Sequence, residues 1–160
     1  MSSPRVAILM GSSSDKDTMR SAAEILERFG VPYEMKVLSA HRTPVEASRY
    51  AENAEAAGIE VIIAGAGFAA HLAGVLAAHT VLPILGVPLP ASSLQGMDSL
   101  LSTVQMPGGI PVATMTIGKA GAKNAGLFAV QILSRKDPKL VDALKAYRRE
   151  MKEAILATEL

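Results

Sequence analysis

The sequence contains no cysteine and no tryptophan, and none of its apolar segments is long. Without cysteine the chain has no disulfide bond, no zinc-thiolate site and no thiol nucleophile. No apolar run approaches the ~20 residues of a membrane-spanning helix, so we expect no membrane association. The charges nearly balance, with 16 Lys plus Arg against 15 Asp plus Glu, which leaves no basic excess for binding nucleic acid. We therefore expect a small-molecule ligand.

The length and the composition favour one compact domain. A chain of 160 residues is close to the usual size of a single domain, so we predict one domain over residues 1–160. Its first residues lead directly into an apolar strand without the regions of a secretory signal, which predicts a cytoplasmic location. Apolar residues make up 49% of the chain but aromatic residues only 4%, which indicates close backbone packing and apolar contacts between identical subunits.

Short apolar runs typical of strands alternate with amphipathic runs typical of helices. Strands are predicted at residues 6–10, 33–38, 61–64, 83–86 and 112–115. Helices are predicted at residues 15–29, 44–57, 69–79, 98–105 and 119–134, with an extra C-terminal helix at about 139–157. This alternation predicts a three-layer α/β fold, in which a doubly wound parallel sheet has helices on both faces.

Ligands of open parallel sheets bind beyond the carboxyl ends of the strands, where this sequence has three polar clusters. The first cluster, residues 11–15, combines a glycine turn, hydroxyl groups and a helix N-terminus, and can hold a phosphate. The same residues can instead cap the helix, since Ser and Asp are common N-caps. The Walker lysine and the Gly-x-Gly-x-x-Gly fingerprint are both missing, which argues against nucleoside triphosphates and dinucleotides.

The second cluster is His41 with Arg42, directly after the second predicted strand. Histidine can give and take a proton near neutral pH, and the arginine fork suits phosphate or carboxylate. In the simpler interpretation the segment only leads into a helix, with Thr43 as its cap and Pro44 at its first position. That interpretation leaves the two polar side chains unexplained.

The third cluster, residues 65–72, follows the third predicted strand. Its small residues allow a ligand to approach the backbone, and His71 is expected in the first turn of the next helix. A lone histidine is more often a hydrogen-bonded packing residue than a catalyst, so both interpretations of His71 stay open. His79, near the end of the same helix, is expected at the surface.

Several motifs occur together and in order between about Val6 and Leu133. They are Met10-Gly-Ser-Ser-Ser-Asp15, Ser39-Ala-His-Arg-Thr-Pro44, Ile62-Ile-Ala-Gly-Ala-Gly67, Ala69-Ala-His-Leu72, Asp98-Ser-Leu100, Gln105-Met-Pro107 and Ile117-Gly-Lys-Ala-Gly121. This combination resembles the N5-carboxyaminoimidazole ribonucleotide mutase family of purine biosynthesis. The resemblance implies a flavodoxin-like subunit in a homo-octamer, with active sites at subunit interfaces. It also implies an isomerase that moves a carboxylate, by way of CO2, from an exocyclic nitrogen to a ring carbon without metal or cofactor.

Carried over residue by residue, the resemblance makes His41 the catalytic proton carrier. It assigns the ribose phosphate of the substrate to Ser12, Ser14, Asp15 and Arg42, and the Asp15 carboxylate suits the ribose hydroxyls. Around the base and the migrating carboxylate it implies Ser39, Ala66, Gly67, His71 and Leu72.

The chain departs from the family pattern at Phe68, where glycine is usual, at Ala73, where proline is usual, and at His79, where lysine is common. If position 68 has a positive φ, a phenylalanine there is strained and its bulk narrows the CO2 pocket.

Two other functions remain open from the sequence. The first is the sister activity, direct carboxylation of aminoimidazole ribonucleotide by CO2. The second is a flavodoxin-like module that binds a phosphorylated ligand without converting it. A serine hydrolase is disfavoured, because Ser12 and Ser14 lack the Gly-x-Ser-x-Gly elbow.

Overall fold

The computed structural model describes residues 3–158, which form a parallel β-sheet with helices on both faces. The strands are β1 (Val6–Met10), β2 (Tyr33–Val37), β3 (Val61–Ala66), β4 (Ile84–Pro88) and β5 (Ala113–Thr114). Their order is β2-β1-β3-β4-β5. The chain thus starts inside the sheet, extends it to one side and then crosses to the other, which is the flavodoxin-like order of a doubly wound sheet. The predicted three-layer α/β fold is confirmed.

The helices are α1 (Lys16–Arg28), α2 (Pro44–Ala54), α3 (Leu72–Ala78), α4 (Met97–Val104), α5 (Gly118–Ser134) and α6 (Pro138–Leu156). Successive side chains of a strand point to opposite faces, so each inner strand contributes to two cores. Ile8 and Ile63 belong to the core under α1 and α5, whereas Leu9 and Ile62 belong to the core under α2 and α3. This burial on both faces explains the unbroken apolar runs of β1 and β3.

Small residues let α1 and α5 lie close together. Ala125 and Ala129 of α5 are buried in the shared core. A Cβ atom at Gly126 would come within 2.8 Å of the carbonyl oxygen of Ala22 in α1. Because a backbone atom cannot move aside as a flexible side chain can, this approach requires glycine. The high alanine and glycine content therefore serves helix packing, as the composition predicted.

Helix α6 packs against α1 and α5 through one face. Tyr147 is buried, and its ring centroid lies 5.7 Å from that of Phe29. The Arg28 guanidinium lies 4.6 Å from the centre of the Tyr147 ring and forms an ion pair with Glu150. The predicted C-terminal helix is thus a layer added to the outside of the α1–α5 pair. No helix within residues 3–158 is both long and apolar enough to cross a membrane.

The start of α3 differs most from its prediction. This helix begins at Leu72 rather than at residue 69, because residues 67–70 form a turn in which Phe68 and Ala70 have φ angles of 54° and 45°. His71 consequently precedes the helix as its N-cap and does not lie in its first turn.

The other boundaries differ from their predictions only at the ends of elements. Residues 13–15 form a 3-10 turn before α1 begins at Lys16. Helix α2 ends at Ala54, since Gly58 with a φ of 90° reverses the chain toward β3. Strand β5 shrinks to two residues at the sheet edge, where Pro111 has no N–H to extend the ladder.

Candidate active site

Three loops meet beyond the carboxyl ends of β1, β2 and β3 and enclose a cavity of about 580 Å³. The strands end level, because Met10 pairs in register with both Val37 and Gly65. The residues that follow each strand therefore reach the same place. The cavity is lined by residues 11, 12, 14 and 15 from the first loop, 39–42 from the second, 66–72 from the third, and by Ala91.

The first loop is a tight turn closed by its own side chains. The Ser12 hydroxyl accepts a hydrogen bond from the Ser14 backbone N–H at 3.3 Å, and the Asp15 carboxylate accepts one from the Ser12 N–H at 3.1 Å. These reciprocal bonds form a capping box on the 3-10 turn that leads into α1, whereas α1 itself has no side-chain cap at Asp15. Both hydroxyls nevertheless line the cavity, and the phosphate role of the turn stays a prediction.

Asp15 is the titratable residue of this turn. Burial raises the pKa of its carboxyl group, and this effect exceeds the lowering by the Ser12 N–H, the Ser14 hydroxyl and the Arg42 charge. A carboxylate held in this way by a backbone N–H keeps a fixed direction toward the cavity, where it can accept hydrogen bonds from ligand hydroxyls.

The second loop is a corner between β2 and α2. Thr43 is the N-cap residue of α2, as predicted, but its hydroxyl makes no cap hydrogen bond because it is used within the corner. It accepts a hydrogen bond from the Ser39 N–H at 2.8 Å and donates to the Ser39 carbonyl oxygen at 3.1 Å. Pro44 is the first residue of α2, as predicted. The corner is thereby fixed with residues 40–42 facing the cavity.

Arg42 connects the second loop to the first. Its guanidinium donates a hydrogen bond to the carbonyl oxygen of Gly11, and its backbone N–H donates to the Ser39 hydroxyl at 3.2 Å. The carbonyl is a neutral acceptor, so the positive charge of Arg42 remains available to an anion bound at the first loop.

His41 and His71 form a pair at the mouth of the cavity. Nε2 of His41 lies 2.6 Å from Nδ1 of His71, and the rings meet edge to face at an angle of 82°. A neutral imidazole has one N–H and one bare nitrogen, so the two rings must adopt complementary tautomers. Both side chains are exposed rather than packed in a core. His71 is therefore not a buried packing residue, and its partner is the predicted proton carrier.

The start of the third loop brings two small residues, Ala66 and Gly67, to the cavity wall. A Cβ atom at Gly67 would overlap the Ala91 side chain, which follows β4. The loop after β4 is held against β3, because the Leu89 N–H donates to the Ala66 carbonyl oxygen at 2.9 Å. Glycine at position 67 thus lets two chain segments meet and form one wall of the cavity.

The backbone turn at 67–70 gives position 68 the positive φ that makes a phenylalanine strained, while the narrowing of the CO2 pocket stays a prediction. The Ala70 N–H donates to the Gly67 carbonyl oxygen at 2.9 Å, and Phe68 between them lies in the left-handed region with a φ of 54°. This conformation is sterically unfavourable for phenylalanine but not for glycine. Phe68 lines the cavity while its side chain stays 61% exposed.

The profile of the AIR carboxylase family matches residues 5–154 of this chain. The chain belongs to the AIR carboxylase family. The N5-carboxyaminoimidazole ribonucleotide mutase of Bacillus subtilis is 59% identical to it over 153 residues, which cover 96% of this chain and 94% of that relative. The mutase of the same name from Pyrococcus abyssi is 60% identical over 149 residues, with 93% and 84% covered.

A solved structure gives the AIR carboxylase family the same architecture. Treponema denticola PurE matches with a TM-score of 0.86 at 32% sequence identity, over 96% of this chain and 94% of that one. The resemblance noted from the sequence motifs is thus confirmed, both for the family and for its fold.

Every residue that the sequence predicted for the site lines the same cavity between the three loops. These residues are Ser12, Ser14, Asp15, Ser39, His41, Arg42, Ala66, Gly67, His71 and Leu72. Their individual roles stay predictions. The structure also brings His79 to the opposite end of the sheet, where it pairs with Glu52 at 3.1 Å.

Five further residues line the cavity: Gly11, Ala69 and Ala70 were predicted only as parts of the first and third clusters, and Ala40 and Ala91 carried no site prediction. Four of them are alanines, which carry no chemical signature. Ala91 had one signal in the sequence: it follows the strand predicted at 83–86 in a segment rich in proline and serine, and loops after strands often serve a site, although the structure extends this strand as β4 to Pro88. Within residues 3–158, no group of three or more His, Asp or Glu side chains is arranged to hold a metal ion.

Proposed function

We propose that this chain is an isomerase that converts N5-carboxyaminoimidazole ribonucleotide into 4-carboxy-5-aminoimidazole ribonucleotide in IMP biosynthesis. The relatives named as this mutase share 59% and 60% of their aligned residues with the chain. The observation that carries the proposal is the cavity of about 580 Å³, where a histidine pair and a phosphate-suited turn face the same space.

The ribose phosphate binds at the first loop in this proposal. The Ser12 and Ser14 hydroxyls donate to phosphate oxygens, and the Arg42 guanidinium supplies the positive charge. Asp15 accepts hydrogen bonds from the ribose hydroxyls, since its carboxylate is already oriented by the Ser12 N–H. This arrangement holds the aminoimidazole ring toward the His41 side of the cavity.

The reaction then proceeds in two balanced steps. The N–C bond of the carbamate breaks, its electron pair returns to the exocyclic nitrogen, and that nitrogen takes up a proton as CO2 is released. The ring carbon next attacks CO2 to form the new C–C bond, and the same carbon loses its proton to restore aromaticity. One proton is taken up and one is returned, so a single group can serve both steps.

His41 is that group. A histidine can donate the proton in the first step and recover it in the second, and such assistance contributes roughly a hundredfold to ten-thousandfold. The contact of 2.6 Å with His71 favours one tautomer of His41 and orients its ring. His71 is a positioning residue in this scheme.

Retention of CO2 also contributes to the rate. The wall formed by Ala66, Gly67 and Ala91 is small and apolar, so it leaves room for CO2 beside the ring and offers little to bind water. Holding two reactants together in good geometry contributes up to ~7–11 kcal/mol in ideal cases.

Direct carboxylation of aminoimidazole ribonucleotide by CO2 is the second candidate, because the matching family carries the description AIR carboxylase. It needs the same phosphate turn and the same removal of a proton from the ring carbon. In this reaction the exocyclic nitrogen of the substrate already carries its proton, so no proton has to be donated to it.

The homo-octamer and the cytoplasmic location belong to the same proposal. Exposed apolar side chains on one helix, Met97, Leu101 and Val104 of α4, support contacts between copies. Sedimentation of the purified protein measures the number of subunits.

One assay distinguishes the candidates. Purified protein is given N5-carboxyaminoimidazole ribonucleotide, or aminoimidazole ribonucleotide, each with limiting bicarbonate, and the 4-carboxy product is measured. The mutase converts the first substrate at low bicarbonate and the second only at high bicarbonate. Efficient conversion of the second alone identifies a carboxylase, and binding of either compound without product identifies a binding module.

A further inference from the structure

Phe68 combines two features that are unfavourable for the isolated chain. Its backbone lies in the left-handed region at a φ of 54°, where a side chain with a Cβ atom is disfavoured. Its ring is 61% exposed, so its apolar surface gains little from burial in the chain's own core. Glycine would avoid the steric cost, and a polar residue would avoid the exposure. Strain of this kind persists mainly at functional sites.

The surroundings of Phe68 make its ring distinctive. The third loop reads Ala66-Gly67-Phe68-Ala69-Ala70, so Phe68 supplies the only side chain there that extends beyond a Cβ atom. All of these residues line the cavity that holds the histidine pair. Among residues 66–70, only the Phe68 ring can therefore cover the open side of this wall.

We propose that the Phe68 ring closes the cavity over the planar heterocycle of the ligand and limits the escape of CO2 during carboxylate transfer. This inference rests on the proposed function, since it concerns the same site. Aromatic rings attract one another in offset or edge-to-face arrangements, and an aminoimidazole offers a face and an edge of this kind. The tight turn with its Ala70-to-Gly67 hydrogen bond fixes the direction in which the ring leaves the backbone.

The test uses two variants that separate the ring from the backbone. Phe68→Ala removes the ring and keeps the Cβ atom, whereas Phe68→Gly removes both. Val81→Ala is the matched control, because Val81 is 90% exposed and lies before β4, at the opposite end of the sheet. Substrate with a 13C-labelled carboxylate is converted in unlabelled bicarbonate, and the label missing from the product reports the CO2 that escaped.

Both Phe68 variants are expected to lose more label than the wild type, by roughly twofold to tenfold, the range that one aromatic contact supports. The control is expected to match the wild type. Affinity for aminoimidazole ribonucleotide, measured by calorimetry, is expected to fall by a similar factor in both variants. Phe68→Gly is expected to melt a few degrees (~2–4 °C) above Phe68→Ala, because only glycine relieves the backbone.

The outcomes distinguish this inference from the proposed function. If the wild type forms no 4-carboxy product, labelled or unlabelled, the proposed function is overturned and this inference with it. If the wild type isomerises but Phe68→Ala and Phe68→Gly retain label and affinity as well as the wild type does, only the role of Phe68 is overturned. A changed sedimentation rate with unchanged label retention assigns the ring to a contact between copies and likewise overturns its role at the ligand.

Discussion

Each end of the sheet carries a histidine with a hydrogen-bond partner, and the two partners differ in kind. At the amino ends of the strands, Nδ1 of His79 lies 3.1 Å from the Glu52 carboxylate. At the carboxyl ends, Nε2 of His41 lies 2.6 Å from Nδ1 of His71. A carboxylate only accepts hydrogen bonds, whereas an imidazole either donates or accepts. The His41 pair can therefore exchange donor and acceptor while its contact persists, as a proton carrier must.

The arginines at the two ends differ in the same way. Arg5 precedes β1 and forms an ion pair with Glu60 at 2.5 Å. Arg42 follows β2 and donates to the carbonyl of Gly11, which carries no net charge. The amino-end charges are thus satisfied within the chain, while the carboxyl-end charge remains for a ligand. Residue type alone therefore does not mark the site, whereas the hydrogen-bond partner of the residue does.

Replacement of the two histidines gives the largest expected effect. His41→Asn should lower kcat by roughly a hundredfold to ten-thousandfold, because asparagine cannot carry the proton, while ligand affinity changes little. His79→Asn should leave kcat unchanged, since it affects only an exposed contact with Glu52 at the other end of the sheet. Steady-state kinetics and calorimetry measure both effects. Near-normal turnover in His41→Asn would remove this histidine from the mechanism.

Replacement of the two arginines gives the next largest effect. Arg42→Ala should raise KM by roughly tenfold to a hundredfold, because a hydrogen bond to a charged group contributes about 1.5–3 kcal/mol. Arg5→Ala should leave KM unchanged and lower the free energy of unfolding by about 1 kcal/mol or less, as is usual for partly exposed ion pairs. Equal KM values for the two variants would contradict the assignment of Arg42 to the ligand.

Two glycines near α3 differ in what an added Cβ atom would meet. A Cβ at Gly67 would overlap the short Ala91 side chain, which cannot move aside. Gly67→Ala should therefore lower the free energy of unfolding by about 1–3 kcal/mol and reduce turnover. A Cβ at Gly74, inside α3, would meet only the flexible end of Met106 at 3.3 Å. Gly74→Ala should raise stability by up to about 1 kcal/mol, because alanine favours helix. Chemical denaturation measures both values.

Much of the fold was predictable because burial on both sides leaves a clear pattern. The runs of β1 and β3 are apolar throughout, and the helices between them carry apolar residues at helical spacing. The place of the site was predictable for a related reason. His41 and Arg42 lie in the loop that follows a strand, and in a parallel sheet the loops at the carboxyl ends of the strands form the ligand site.

Details that depend on tertiary contacts were not predictable. Nothing local indicates that the Thr43 hydroxyl bonds to Ser39 instead of capping α2. The delayed start of α3 depends on the turn at 67–70, where two residues without glycine's freedom adopt positive φ. Ala91 lines the cavity only because β4 lies beside β3, and an alanine in the sequence gives no sign of such a position.

The smallest expected effect compares two carboxyl groups whose pKa values shift in opposite directions. Burial raises the pKa of Asp15 in the site. Burial also raises the pKa of Glu34 in β2, but this effect is outweighed. Hydrogen bonds from Lys36 and Tyr50, together with the Lys36 charge, hold the pKa of Glu34 below its ordinary value. The folded state therefore favours the protonated form of Asp15 and the ionised form of Glu34.

These directions give opposite stability changes with pH. Because the pKa of Asp15 is raised in the folded state, ionisation of Asp15 destabilises the fold at pH values above its unfolded-state pKa. Asp15→Asn should therefore melt at a higher temperature than the wild type at pH 7. The difference in melting temperature should narrow on acidification toward pH ~4. Glu34 stabilises the fold above its unfolded-state pKa and loses this contribution as pH falls. Glu34→Gln should thus melt below the wild type at pH 7, and its deficit should shrink in acid. Thermal unfolding across this range measures both gaps, and gaps of the same sign at pH 7 would contradict the contrast between the site and the scaffold.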